Sequence, residues 1–312
     1  MDIARRPLRF GVQIARSRTA NEWKRQARRA EALGYDVFLM PDHFGVQFAI
    51  GPALAVVAEA TTTLRIGTLV WQNDLRHPAE TAKEAATLDL LSGGRFELGI
   101  GAGGSFLPEY TWTGIPFDTA GNRVGRLEES VKVIKGAFGK VPFTFQGNHY
   151  SIADYDGYPK PFQQPSPPIL IAGGGKRMLR LAANEADIVA LIPSMKPAAG
   201  TFNDEDSVEA FAAKAAFVLA EAGPRAAQIE FNILVQQLKV TDDPESEMAR
   251  LQAEHGIQNA SWFDSPMVYI GSANDIAGRI LTVRERTEVS YFVVFEPVME
   301  EFAAVIALLE GR

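Results

Sequence analysis

The stretch Ile169-Leu170-Ile171-Ala172-Gly173-Gly174-Gly175-Lys176-Arg177 decides how this chain reads. Four apolar residues in a row suit a strand buried on both faces, as in a parallel sheet covered by helices. Three glycines end the run, and residues 176–184 continue with helical periodicity. Strand, tight turn and helix make one β/α unit, and the unit recurs on both sides. Candidate strands are residues 8–14, 37–40, 65–70, 96–100, 169–172, 188–191, 230–235 and 291–295. Thr19-Ala20-Asn21-Glu22 reads as a capping box opening a helix that ends near Leu33, with Gly34 as its stop. Pro52 and Pro78 sit in the first turns of helices running to about Thr62 and Leu91, the second stopped by Gly93-Gly94. Further helical stretches are residues 122–138, 207–222, 244–255, 272–286 and 298–309. Eight strands, each followed by a helix, predict an α/β fold, a (β/α)8 TIM barrel.

The first four strands start at residues 8, 37, 65 and 96, but the fifth only at 169. The gap holds a helix and an insertion between strand 4 and strand 5, approximately residues 141–168, in which residues 143–150 read as a hairpin turning at Gly147-Asn148. With no linker or low-complexity segment, residues 1–312 read as a single barrel domain.

Composition narrows the function. The 312 residues are 46% hydrophobic and 22% charged, which excludes disorder, collagen and coiled coil. A net charge of −7 disfavours nucleic acid and anionic membranes as partners. Absence of cysteine removes disulfides, thiolate metal sites and a Cys nucleophile together. No apolar run follows Arg5-Arg6 and none approaches a membrane span, so a cytoplasmic soluble protein is expected.

In a barrel, chemistry gathers where strands end. The glycines 173, 174 and 175, with Lys176 and Arg177 behind them, suit a phosphate at a helix N-terminus; a tight turn with surface cations is the plainer reading. Residues 99–104 fit Gly-x-Gly-x-x-Gly, but Ser105-Phe106-Leu107-Pro108 follows rather than a helix. Backbone lying beside a planar ligand therefore fits better than a dinucleotide fingerprint, with a flexible loop as the alternative. His43, after Pro41-Asp42 at a strand end, can carry a proton near neutral pH. Asp42 orients a ligand or caps the turn. His77, His149 and His255 read as structural, and Arg123, Arg126, Glu128 and Glu129 as surface ion pairs. Metal-ligand spacings and a Gly-x-Ser-x-Gly elbow are missing, and Lys239 is a weak Schiff-base candidate.

Residues 60–70 (Ala-Thr-Thr-Thr-Leu-Arg-Ile-Gly-Thr-Leu-Val), residues 85–103, Pro41-Asp42-His43 and residues 167–175 together resemble the luciferase-like monooxygenase superfamily. Phe10-Gly11-Val12-Gln13 and Tyr158-Pro159-Lys160-Pro161 resemble its actinobacterial branch that uses the deazaflavin coenzyme F420. The resemblance covers residues 8–192 well and the rest loosely. It implies a homodimer, paired through the helices after strands two and three, with a flavin-type cofactor. The cofactor would meet Asp42, His43, Leu69, Val70, Asn73, Gly101, Ala102, Gly103 and Gly104 at the ring, and Ala172, Gly173, Gly174, Gly175, Lys176 and Arg177 at the phosphate arm. It also implies a non-proline cis peptide at Leu69-Val70. Some relatives place a proton-transferring Glu in the strand-four loop; here Gly103-Gly104-Ser105 stands there, and Glu109 serves only if the loop folds inward.

The expected activity is hydride transfer between the deazaflavin C5 and an activated C=C, C=N or C=O bond of a small molecule, with His43 and Asp42 as catalytic residues. The alternatives are an FMN-dependent luciferase-like monooxygenase, a phosphometabolite hydrolase or lyase barrel, and a catalytically silent cofactor-binding barrel. Phe44, Trp71, Phe106, Trp112, Phe117, Tyr150 and Tyr155 are the candidate pocket walls, pointing to an apolar or planar substrate.

Overall fold

The computed structural model describes residues 6–194, 204–256 and 260–312; residues 1–5, which enter the N-terminal reading, lie outside them. In chain order the elements are β1 (Arg9–Gln13), α1 (Ala20–Ala32), β2 (Val37–Met40), α2 (Ile50–Ala60), β3 (Arg65–Thr68), β4 (Trp71–Gln72), α3 (Pro78–Leu91), β5 (Phe96–Gly101), α4 (Leu107–Thr113) and α5 (Ala120–Phe138). Then come β6 (Phe143–Gln146), β7 (Ser151–Tyr155), β8 (Ile169–Gly173), α6 (Lys176–Glu185), β9 (Ile188–Leu191), α7 (Val208–Ala222), β10 (Glu230–Leu234), β11 (Gln237–Val240), α8 (Pro244–His255), β12 (Val268–Gly271), α9 (Ala273–Thr287), β13 (Val289–Phe295) and α10 (Met299–Leu309). The fold class is α/β, a (β/α)8 barrel.

The chain falls into two compact units. In the first, residues 14–29 and 37–171, β3 pairs in parallel with β2 and β5, and β5 with β4 and β8. Close strand approach explains Gly99: a Cβ there would stand 1.9 Å from the Thr68 carbonyl oxygen. The Thr68 hydroxyl donates to the Gly99 carbonyl at 2.7 Å and accepts from the Gly99 N–H at 3.0 Å. Buried Trp23 of α1 meets Phe38 and Phe48 edge-on and donates its indole N–H to the Ala53 carbonyl at 3.0 Å. The hairpin forms as β6 against β7, antiparallel. Glu129 of α5 accepts the turn's N–H groups from Asn148, His149 and Tyr150, so it is a hairpin anchor, not half of a surface ion pair. Gln163 returns the Pro-rich run to α3 by donating its backbone N–H and side-chain amide to buried Asp89.

In the second unit, β13 lies between β1 and β10, and β10 pairs with β9, all in parallel. Phe10, Tyr35 and Phe302 cluster there, and the Tyr35 hydroxyl donates to the Met299 carbonyl.

The structure departs from the sequence reading at four places. A short helix, α4, follows residues 99–104 where none was expected, and β4 continues the third strand beyond Val70. β11 and β12 form an extra parallel pair. Thr19 caps α1 by accepting from the Glu22 N–H, but Glu22 turns to the Arg18 N–H, so the box is half formed; a complete one stands at Ser272 and Asp275. No helix among the described residues is long and apolar enough to cross a membrane.

Trp23→Ala is expected to lower the free energy of unfolding by about 3–5 kcal/mol in urea titrations, because neighbours around so large a side chain close the gap only in part. A loss under about 1 kcal/mol would mean that the Phe38 and Phe48 contacts do not carry this helix.

Candidate active site

The end of β2 carries Pro41, Asp42 and His43 into an exposed loop. Opposite it, α4 has Pro108 in its first turn and Gly114 beyond its end at φ 71°. That short helix turns Glu109 inward until only 1% of it is exposed. A buried carboxylate needs donors, and Glu109 has them. One oxygen lies 2.8 Å from His43 Nδ1 and accepts the Phe44 N–H at 3.2 Å. The other accepts from Gln72 Nε2 at 3.0 Å. A carboxylate only accepts, so Nδ1 carries a proton and donates. Nε2 is then left on a ring that is 39% exposed.

Gln72 ties this pair to its neighbour. Its Nε2 also donates to the Asp42 carbonyl, and its backbone N–H donates to Asp42 Oδ2 at 2.9 Å. Arg76 Nη2 lies 3.1 and 3.0 Å from the two Asp42 oxygens, its Nη1 donates to Glu84, and its guanidinium covers the Trp71 ring. Burial pushes the carboxyls of Asp42 and Glu84 above the usual range, against the pull of Arg76. Both Asp42 oxygens are engaged by Arg76 and Gln72, so Asp42 holds the strand end in place. A cavity of about 400 Å³ borders Asp42, His43, Phe44, Phe48, Arg76 and Glu84.

The loop after β5 is built on a second buried charge. Asp74 accepts from Arg126 at 2.8 Å and from the Tyr110 hydroxyl at 3.0 Å, with Arg123 at 3.7 Å. Arg126 also reaches Asp118. Arg123 and Arg126 are therefore internal partners of a buried carboxylate, not surface ion pairs. Burial and the nearby Asp74 push the Tyr110 phenol up to about 12. The glycines follow from this packing. A Cβ on Gly101 would meet Val70 at 2.8 Å, on Gly103 the Tyr110 hydroxyl at 2.7 Å, and on Gly104 the Arg123 guanidinium at 2.5 Å. Gly103 and Gly104 also hold φ values of +76° and +83°. Ala102, Gly103 and Gly104 stay half-exposed, with backbone at the surface. The Leu69-Val70 peptide is cis, and Asn73 is buried just beyond it.

The glycine run 173–175 belongs to the other unit. Gly173 and Gly174 allow close approach, since their Cβ atoms would stand 2.5 Å from Met178 and 2.4 Å from the Ile192 carbonyl oxygen. Gly175 is different: the space beyond its Cα is open, and as N-cap of α6 it has no side-chain cap. Lys176 and Arg177 are exposed in a first turn that holds no acid. Uncapped N–H groups, open space and two cations fit a phosphate.

Sequence reasoning passed over Gln72 and Arg76 and discounted Glu109. A signal for Glu109 existed: Pro108 followed by an acid, with Gly114 five residues on, is the punctuation of a short helix.

The profile of the luciferase-like monooxygenase family matches residues 7–302, and the chain belongs to that family. F420-dependent glucose-6-phosphate dehydrogenases are among its relatives. The protein of that name from Kineococcus radiotolerans is 32% identical over 196 residues, covering 60% of this chain and 57% of the relative. The one from Amycolatopsis mediterranei is 36% identical over 169 residues, 52% of this chain and 50% of the relative. The chain thus spans little more than half the length of the curated relatives it matches. A solved F420-dependent secondary alcohol dehydrogenase, in complex with an F420-acetone adduct, superposes with a TM-score of 0.78 at 19% identity, over 97% of this chain and 98% of the other. That last likeness is one of fold.

Arg76→Met is expected to cost about 3 kcal/mol of stability at pH 7, because buried Asp42 and half-buried Glu84 are left without their cation. A carboxyl whose folded pKa is raised adds stability below the ordinary carboxylate range and loses it as pH rises through the folded value. The deficit in urea titrations should therefore shrink as the pH is lowered from 7 towards 4; a deficit that grows would contradict this charge assignment.

Proposed function

We propose that this protein is a coenzyme F420-dependent oxidoreductase acting on a small organic molecule. The His43–Glu109 pair carries the reading: a half-exposed imidazole whose Nδ1 is held by a buried carboxylate. The F420-dependent relatives and the open phosphate cradle at Gly175 support it. Coenzyme F420, when bound, supplies or accepts a hydride at the deazaflavin C5.

The chain's own residues have separate tasks. Gly175 and the first N–H groups of α6 hold a phosphate together with the charges of Lys176 and Arg177, and Gly173 and Gly174, beside Ala172, let the turn pack closely enough to form the cradle. Leu69, Val70, Asn73, Gly101, Ala102, Gly103 and Gly104 present backbone and small side chains to a planar ring. His43 Nε2 moves the proton that accompanies the hydride, so a carbonyl gains a hydride at carbon and a proton at oxygen. Glu109 keeps Nδ1 protonated and stabilises the imidazolium when Nε2 is also protonated. Gln72 fixes the rotamer of Glu109, and Asp42 with Arg76 fixes the loop that carries His43. An FMN-dependent monooxygenase is the competing reading, since the family is described as a monooxygenase family and a relative from Pseudomonas putida, 27% identical over 199 residues, is an FMNH2-dependent dimethylsulfone monooxygenase.

Separate titrations of the purified protein with F420 and with FMN decide between the two: F420 is expected to bind and FMN not, and tight FMN binding without F420 binding would reverse the assignment. With F420 bound, His43→Ala should cut turnover by about 10²–10⁴-fold and leave the F420 Kd nearly unchanged. Loss of F420 affinity with turnover per bound cofactor preserved would make His43 a binding residue instead.

We further propose a cytoplasmic homodimer. α2 has one charged residue, Glu59, and leaves Pro52 exposed and Ala55 and Val56 half-exposed, while Leu90 and Leu91 stand exposed at the end of α3. Val56→Asp should shift sedimentation from dimer towards monomer; a monomeric wild-type protein would remove the proposal.

A further inference from the structure

Among the described residues thirteen large apolar side chains stand exposed, and seven of them fall in two short segments, 44–48 and 106–117. Exposed apolar surface this concentrated marks a binding site more often than chance decoration. Both segments adjoin the His43–Glu109 pair. The Phe44 N–H donates to Glu109, and Phe106 and Leu107 open the helix that carries it. Phe106 and Trp112 meet edge-on with ring centroids 5.6 Å apart, and Trp112 is 61% exposed. The imidazole thus has Phe44 as its chain neighbour, and the carboxylate that holds it lies three residues from Phe106 and three from Trp112 in the chain.

The charges beside it point the same way. Arg76 is engaged by Asp42 and Glu84, and Arg126 by Asp74 and Asp118. Arg123 is shared among Asp74, the Asp118 carbonyl and the face of the Phe117 ring. An anionic substituent brought here would have to draw a guanidinium from a buried aspartate and leave that aspartate without its cation, which is the costly way to break such a pair. An uncharged ligand leaves every pair intact and covers the aromatic surface.

We propose that the site beside His43 takes an uncharged carbonyl or enone compound with an aromatic or alicyclic body, and that it rejects sugar phosphates. What happens to the bound compound rests on the oxidoreductase reading; its binding does not. Phe106 and Trp112 would set the specificity by stacking on that body.

Calorimetric titration with 4-phenyl-3-buten-2-one, an uncharged aromatic enone, and with glucose 6-phosphate tests this, on the protein alone and with F420 present. Saturable enone binding is expected, with no binding of the sugar phosphate over the same concentrations. Phe106→Ser and Trp112→Ser should each weaken the enone about tenfold, the loss of roughly one aromatic contact, and Trp112→Phe should restore most of it. Both residues lie at the surface, and far-UV circular dichroism checks that the variants fold. Tighter binding of glucose 6-phosphate than of the enone, or serine variants that bind the enone like the wild type, would overturn the proposal. Enone binding by a protein that takes no F420 would overturn the F420-dependent reading and leave this one standing. F420 binding with glucose 6-phosphate as the preferred ligand would overturn this one alone.

Discussion

A carboxylate buried to 1% exposure has to be met by donors, and the way Glu109 is met organises everything around His43. Its donors come from His43 and Phe44 after β2 and from Gln72 of β4. One acid on a seven-residue helix therefore ties two strand ends together. The helix is too short to persist alone and is held by what it docks against. The same bond that seats it selects which nitrogen of His43 is free. Structure and chemistry here share one hydrogen bond, and loosening Glu109 would disturb both.

The second constraint is neutralisation. Asp42, Glu84 and Asp74 lie at least partly buried beside strand ends, and three arginines answer them. That arrangement consumes the positive charge of this region in holding loops. Large apolar side chains stand exposed near His43 and Glu109 in the sequence: Phe44, Val46, Phe106, Leu107 and Trp112. At Gly175 the N-cap of α6 has no side-chain cap, and Lys176 and Arg177 are exposed in the turn that follows.

The glycine runs show that one missing side chain can have two different reasons. The run 99–104 suggested room for a ring, and the run 173–175 suggested room for a phosphate. In the folded chain Gly99, Gly101, Gly103, Gly104, Gly173 and Gly174 are required because protein atoms already occupy the places their side chains would take. Gly175 alone among these opens onto free space. Sequence shows that a side chain is missing; only packing shows whether a ligand or the protein itself needs the gap.

The strands were legible because parallel β/α units bury both strand faces, which writes short apolar runs such as Val37–Met40, Ile188–Leu191 and Tyr291–Phe295, and because helices carry their stops and starts as Gly, Pro and capping residues. The Leu69-Val70 cis peptide and the luciferase-like family followed from short blocks of matching residues. Harder to see were partnerships between residues far apart in the chain. Glu109 lies sixty-six positions from His43, and Arg126 fifty-two from Asp74. No local periodicity records such distances. By itself the sequence determined the fold class, the ends of the strands, and the place of His43 at one of those ends. The tertiary structure decided that Glu109 turns inward, that Asp42 is held by Arg76, and that the arginines are already engaged. The reason is physical: secondary structure depends on neighbours within a few residues, whereas the partner of a buried charge is set by whatever the fold brings within about 3 Å of it.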